Sequence, residues 1–188
     1  RCVMEGKAFL VRFTTDWTCG LLWNKLYKRT LFDGIFFEEG HKIDDEYFTY
    51  QGVMNAAKVV CDPHVVYNYR QRASSVMQSP AARAQIAVDR IDFMAKRREK
   101  VLERFPELRR EFDISFVDAL SYLADYPDNT EESIRLLKYY ARRYFLQRGN
   151  TFPPRYLLKA VFLMYVTGTE KLLKRPQAKK PSPEDYYA

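Results

Sequence analysis

The stretch EEGHKIDDEYFTYQ, Glu38 to Gln51, gathers five carboxylates and a histidine into nine residues and then turns aromatic. Its reading decides whether the N-terminal part of the chain is scaffold alone or also a site. Locally it reads as the start of a helix. Asp44 or Asp45 suits an N-cap, and acidic side chains in a first turn complement the positive end of the helix dipole. From Tyr47 onward, Phe48, Tyr50, Val53, Met54 and Ala57 trace a rough helical stripe. On these residues alone the helix-start reading is the stronger. The context has to decide whether chemistry is added to it.

At 188 residues the chain is long enough to bury a real core, as one medium domain or two small ones. An apolar share of 47% with 29% charged residues is an ordinary folded composition. Only 7 glycines are present, which argues against Gly-rich phosphate loops. No apolar run approaches the roughly 20 residues that a membrane-spanning helix needs. Arg1 in place of an initiator Met, followed by a charged segment, gives no signal-peptide pattern and leads us to expect a piece of a longer protein. Cys2, Cys19 and Cys61 are odd in number and form no CxxC pair, which suits buried thiols in a reducing compartment. With only His41 and His64 to join them, no common zinc spacing arises.

The net charge of +7 is unevenly spread. Residues 1–134 carry 19 Lys/Arg against 21 Asp/Glu, whereas residues 135–180 carry 12 against one. Any anionic partner therefore belongs to the second segment.

Two textures meet near Ser79. Before it the signals are mixed: "VMEGKAFLV" reads as a short helix, while "LLWNKLYKRTLF", "KVVCD" and "VVYNYRQ" read as strand or strand-to-helix segments. Three strands without a repeating βαβ pattern make an incomplete sheet. After it everything reads helical. Ser79-Pro80 is a cap with Pro at N1, opening a stripe of Ala87, Ile91, Met94, Val101 and Phe105 that Arg98 interrupts. Asp113 reads as the cap of a second helix using Phe116, Leu120 and Leu123. A third opens near Asn129–Glu132 and stops at Gly149-Asn150, and a fourth follows Pro153-Pro154 through Leu157, Val161, Tyr165 and Leu172. The expectation is an α+β, mostly helical chain, with residues 1–78 as one unit and 79–188 as a helical extension with a basic face.

Three motifs in register carry a resemblance: "LLWNKLYKRTLF", then F-x-E-G-x-x-x-D-D-x-x-F from Phe37 to Phe48, then "VVYNYRQRASSVM". Over about residues 15–80 the chain resembles the second half of a bacterial family 2 glycosyltransferase of the GT-A fold, an enzyme class that builds capsular and related surface glycans. The resemblance implies a partial GT-A domain followed by a four-helix extension. It also implies that Asp45 is the base that takes a proton from an acceptor hydroxyl, with Asp44 where the family has Glu.

Trp23, Lys25 and Tyr27 then become an acceptor-side wall where an aromatic face stacks on a sugar, with Lys25 near the acidic pair or the donor phosphates. Without the resemblance, a strand would send all three to one face, as core aromatics and a solvated lysine. Arg70 and Arg72 become phosphate ligands, or else remain two exposed arginines on a loop. His41 reads as a loop histidine before it reads as a metal ligand. No Asp-x-Asp occurs in the chain. The resemblance therefore places the nucleotide pocket and its divalent Mg or Mn in an upstream half, leaving this chain with no cofactor or metal of its own and no activity by itself. Its partners would be a nucleotide-sugar donor and a glycan or lipid-linked acceptor, in the cytoplasm or peripherally on the inner face of the plasma membrane. The basic segment reads either as a solvated face or as a surface on anionic lipid. Nucleic acid is the weaker option, because no binding motif accompanies the charge. The rival to an enzyme is a non-enzymatic helical binding module with that basic face.

Overall fold

In chain order the elements are β1 (Cys2–Glu5), α1 (Gly6–Arg12), α2 (Asp44–Met54), β2 (Lys58–Cys61), α3 (Pro80–Arg104), α4 (Arg109–Ala124), α5 (Glu131–Phe145) and α6 (Pro154–Tyr165). They come from a computed structural model, which describes residues 1–65, 67–70, 72, 75, 79–126, 128–145 and 153–165. The chain is mostly helical with one small antiparallel sheet, an α+β arrangement.

The sheet departs from the sequence expectation. Val3–Glu5, read as helix, lies in β1, which pairs with β2 so that Cys2 faces Cys61 and Glu5 faces Lys58. Gly6 turns the chain from strand into α1. Its N–H donates to the Ala57 carbonyl at 3.2 Å, and a Cβ at this position would overlap the Ala56 carbonyl.

Of the three segments read as strands, only Lys58–Cys61 is one among the described residues. Residues 21–28 are irregular and lead into a 3-10 turn at Arg29–Phe32, because their aromatics find one another instead of a neighbouring strand. Tyr27 meets Phe32 edge-on at 5.1 Å, and Phe48 of α2 is sandwiched between Phe32 and Phe37 at 4.3 and 4.0 Å. Residues 67–70 carry no regular structure either, while Val66 and Gln71 lie outside the described residues.

Helices α3 and α4 follow their stripes more closely, whereas α6 buries Tyr156, Ala160, Leu163 and Met164 and leaves the expected Val161 and Tyr165 exposed. The Ser79 hydroxyl caps α3 by accepting the Ala82 N–H at 3.2 Å, with Pro80 in the first turn. Thr130 and Ser133 exchange hydrogen bonds at the start of α5, at 2.9 and 3.2 Å. Asp113 is no cap. Helix α4 begins four residues earlier, out of a 3-10 turn at Pro106–Leu108, and Asp113 is buried in its second turn against Arg98. The stop expected at Gly149-Asn150 and the continuation to Gly168 and Leu172 lie outside the described residues.

Two apolar cores result, and α3 belongs to both. The first joins Phe9, Leu10, Tyr47, Tyr50, Phe93 and Val101, with Met4 and Val59 from the inner face of the sheet. The second joins Ile91, Phe116, Leu120, Leu137, Tyr144 and Leu163. Because the first core takes side chains from both sides of Ser79, the change of texture there is not a gap in packing. The outer face of the sheet is open, with Val3 and Val60 exposed opposite each other.

Candidate functional site

The acidic stretch opens α2, but not through an aspartate cap. Ile43 occupies the cap position, and Asp44, Asp45 and Glu46 fill the first turn. Each aspartate accepts the N–H of the next residue, Asp44 from Asp45 and Asp45 from Glu46, both at 3.0 Å. Exposed Asp44 and half-buried Asp45 therefore point differently. Burial holds the Asp45 carboxyl above its ordinary range. The Glu46 and Leu22 N–H groups pull it back, and the Asp44 charge pushes it further up. Glu46 faces inward toward Arg90 and Arg97, and burial raises its carboxyl too.

What fixes this turn is a residue the sequence reading passed over. Asp89 of α3, 1% exposed, accepts the Lys42 N–H at 2.6 Å, shares a hydrogen bond with His41 Nδ1 at 3.2 Å and accepts from Gln85 at 2.8 Å. His41 stacks on Tyr47 at 4.1 Å and reaches Glu38 at 3.5 Å, so it ties the loop to the bundle. Lys96 adds a second tether through Glu38 at 2.7 Å and Asp92 at 3.0 Å. The signal was an aspartate on the apolar side of a helix, a residue type almost never buried without partners.

The predicted wall residues divide. Lys25 is a brace: its ammonium donates to the Thr18 and Leu21 carbonyls at 3.0 and 2.6 Å and to Asn24 Oδ1 at 2.6 Å. Its three donors are thus taken, and burial lowers its pKa to about 8, with Asp45 among the groups that oppose the shift. Tyr27 is half-buried near Asp45, its pKa raised by burial to about 12. Its hydroxyl lies toward that of fully buried Thr49, and neither has another hydrogen-bond partner among the described residues.

Trp23 is 38% exposed and stands in a stack with Tyr67 at 4.4 Å and Tyr69 at 5.2 Å. The two tyrosines were not singled out, although their i, i+2 spacing marks a common side of an extended segment. This platform begins one residue from Leu22, whose N–H faces Asp45. Arg70 and Arg72 are exposed, and neither pairs with a described carboxylate.

Half-buried carboxylate, braced loop and exposed aromatic platform form a surface suited to a polar ligand with an apolar face. Among the described residues no group of three or more His, Cys, Asp or Glu side chains is arranged to hold a metal ion. The Cys2, Cys19 and Cys61 thiols are free, and only Cys19 is fully buried. Compared with known proteins, the chain matches no family model, no curated protein and no solved structure.

Proposed function

We propose that the chain is the acceptor-side part of an inverting, nucleotide-sugar-dependent glycosyltransferase of the GT-A type, with Asp45 as its general base. One observation carries the reading: a half-buried carboxylate with a raised pKa faces the Leu22 N–H, and the next residue, Trp23, stands in a solvent-facing stack with Tyr67 and Tyr69. A base works best when its pKa is moved toward the operating pH, and sugars offer C–H faces that pack on aromatic rings. Asp45 takes the proton of an acceptor hydroxyl as that oxygen attacks the anomeric carbon. The bond to the nucleotide diphosphate breaks on the opposite side, so configuration inverts and the leaving group departs with its charge.

The residues divide the work. Trp23, Tyr67 and Tyr69 hold the acceptor ring. Lys25 shapes the loop through three hydrogen bonds, and Asp44 keeps negative charge next to Asp45. Arg70 and Arg72, exposed just past the platform, are the candidates for the donor phosphates. In this reading any divalent ion belongs to a nucleotide-binding half outside the chain. The open Val3–Val60 face and the exposed Leu26 and Phe36 are consistent with surface left for that half to cover.

The test is release of nucleotide diphosphate from a panel of nucleotide-sugars by the full-length protein. Asp45→Asn is expected to lower kcat by about 10² to 10⁴ with donor binding kept, and Asp44→Asn to cost less. Turnover unchanged in Asp45→Asn would leave the acidic turn as a helix start and nothing more.

A further inference from the structure

Two stripes with the same spacing run along the outer surface of the last two helices. On α5, Arg135, Lys138 and Arg142 recur at i, i+3 and i+7, one side of a helix. With Tyr139 and Arg143 they line an open depression of about 520 Å³. Arg143 is neutralised by Glu99 at 3.1 Å, but among the described residues no carboxylate lies within 4.0 Å of the other three cations. On α6, Leu158, Val161 and Tyr165 recur at i, i+3 and i+7 and are 75%, 50% and 65% exposed. The opposite side of α6 is spent on the second core through Tyr156, Ala160, Leu163 and Met164. Arg142 Nη2 reaches the Met164 carbonyl at 3.5 Å, so the cationic stripe comes up beside Tyr165 at the end of the apolar one.

Among the described residues, Arg135, Lys138 and Arg142 face no carboxylate and the apolar stripe stays exposed. Adjacent uncompensated cations repel one another, and three large apolar side chains on one side of a helix make a patch that water does not favour. A single kind of surface suits both together. We propose that the paired stripes dock on an anionic lipid bilayer, with Leu158, Val161 and Tyr165 at the headgroup–acyl boundary and Arg135, Lys138 and Arg142 on lipid phosphates. Tyr165 fits that boundary, where a tyrosine keeps its ring in the apolar layer and its hydroxyl in water. The bilayer is the better occupant than a nucleic acid, which would use the cations and leave the apolar stripe in water. No described helix is long and apolar enough to cross a membrane, and the proposed contact is with the membrane surface. The proposal does not rest on sugar transfer, and its test needs no enzymatic activity.

Co-sedimentation of the 188-residue chain with phosphatidylcholine vesicles, with and without phosphatidylglycerol, checks it. Binding is expected only where phosphatidylglycerol is present, and is expected to fall steeply between about 50 and 500 mM salt as screening shortens. Replacing Arg135, Lys138 and Arg142 together by Gln is expected to weaken it about a hundredfold. Replacing Leu158, Val161 and Tyr165 together by Ser is expected to weaken it about tenfold or more. Five of the six are exposed and Lys138 is half-buried, and circular dichroism checks that the helices persist. A Tyr165→Trp variant gives an independent reading through a blue shift of its emission on the same vesicles. No binding to phosphatidylglycerol at low salt, equal binding to neutral vesicles, or binding untouched by either triple variant would overturn the proposal. Loss with the charge variant alone, without a tryptophan shift, would overturn the bilayer as occupant and leave a plain polyanion surface.

Discussion

Arg97 and Arg98 are neighbours on α3, and the helix turns them into different cores. Both are about 5% exposed or less, yet their charges are met in different ways. Arg98 faces the second core, where its Nε donates to buried Asp113 at 2.6 Å and its guanidinium covers Tyr144 at 4.4 Å. Arg97 faces the first core with no carboxylate in bonding distance among the described residues. It lies over Phe93 at 4.6 Å, with Phe13 and Phe112 beyond at 5.7 and 5.9 Å, and burial pushes its pKa down to about 10. One core therefore holds a charge by a partner charge, the other by ring faces and the more distant Glu46. The first arrangement fails badly when one half is removed. The second leaves Glu46 with Arg90 still facing it.

The largest effect expected from this contrast is at Arg98. Arg98→Met strands the Asp113 carboxylate in an apolar core and is expected to cost about 3–5 kcal/mol in urea unfolding. Asp113→Leu added to it is expected to recover most of the loss, because Asp113 Oδ2 already lacks a partner in the intact pair. A double variant as weak as the single one would mean that the pair is needed for more than neutralisation.

Gly6→Ala tests the first core by a steric route. The new Cβ meets the Ala56 carbonyl, a backbone group that cannot swing aside, and an overpacking loss of about 1–3 kcal/mol is expected. Arg97→Met sharpens the contrast directly. Since Glu46 still faces Arg90, the lost ring contacts are offset by the relief of a buried charge, and the net change is expected to stay within about 1 kcal/mol. A loss as large as that of Arg98→Met would show that Glu46 works as a true counter-ion.

The smallest effect is a slope with pH. Lys25 loses its proton near pH 8 in the folded chain but keeps it to its ordinary 10.5 when unfolded. Above pH 8 the unfolded state holds the extra proton, so this group makes stability rise with pH. Cys19 acts the other way from pH 9, because burial raises its thiol from 9.0 to about 11 and the folded state then holds the proton longer. The clean window is pH 8 to 9. Denaturation midpoints there are expected to climb in the parent chain and to stay flat in Lys25→Met.

The helices were legible because their signals are local. Ser79-Pro80, Thr130 and the stripes of α3 and α4 act within a few turns of sequence, whereas on α6 the expected Val161 and Tyr165 form the exposed side. The sheet was not, since Cys2–Glu5 is a strand only by virtue of Lys58–Cys61, more than fifty residues on. Segment 21–32 has strand composition, yet its aromatics are satisfied by Phe48 and Phe37, which no period within the segment announces. Asp113 looked like a cap because an isolated aspartate before an apolar stripe usually is one; its partner Arg98 lies 15 residues back on another helix. The acidic pair was visible as a motif. What holds it, the Asp89 carboxylate on the Lys42 N–H, joins residues 47 apart and leaves no local trace.

Helix α3 runs 25 residues, about 37 Å at the usual rise, and serves as the common wall of two cores. Such a wall makes unfolding cooperative across the whole molecule. Melting either core exposes one side of α3 and removes support from the side facing the other, so the two halves share a single transition. A cut near residue 79 would not release two miniature proteins. It would leave the acidic turn without Asp89 to hold it, which makes α3 the element through which the stability of the helical bundle becomes the order of the N-terminal loops.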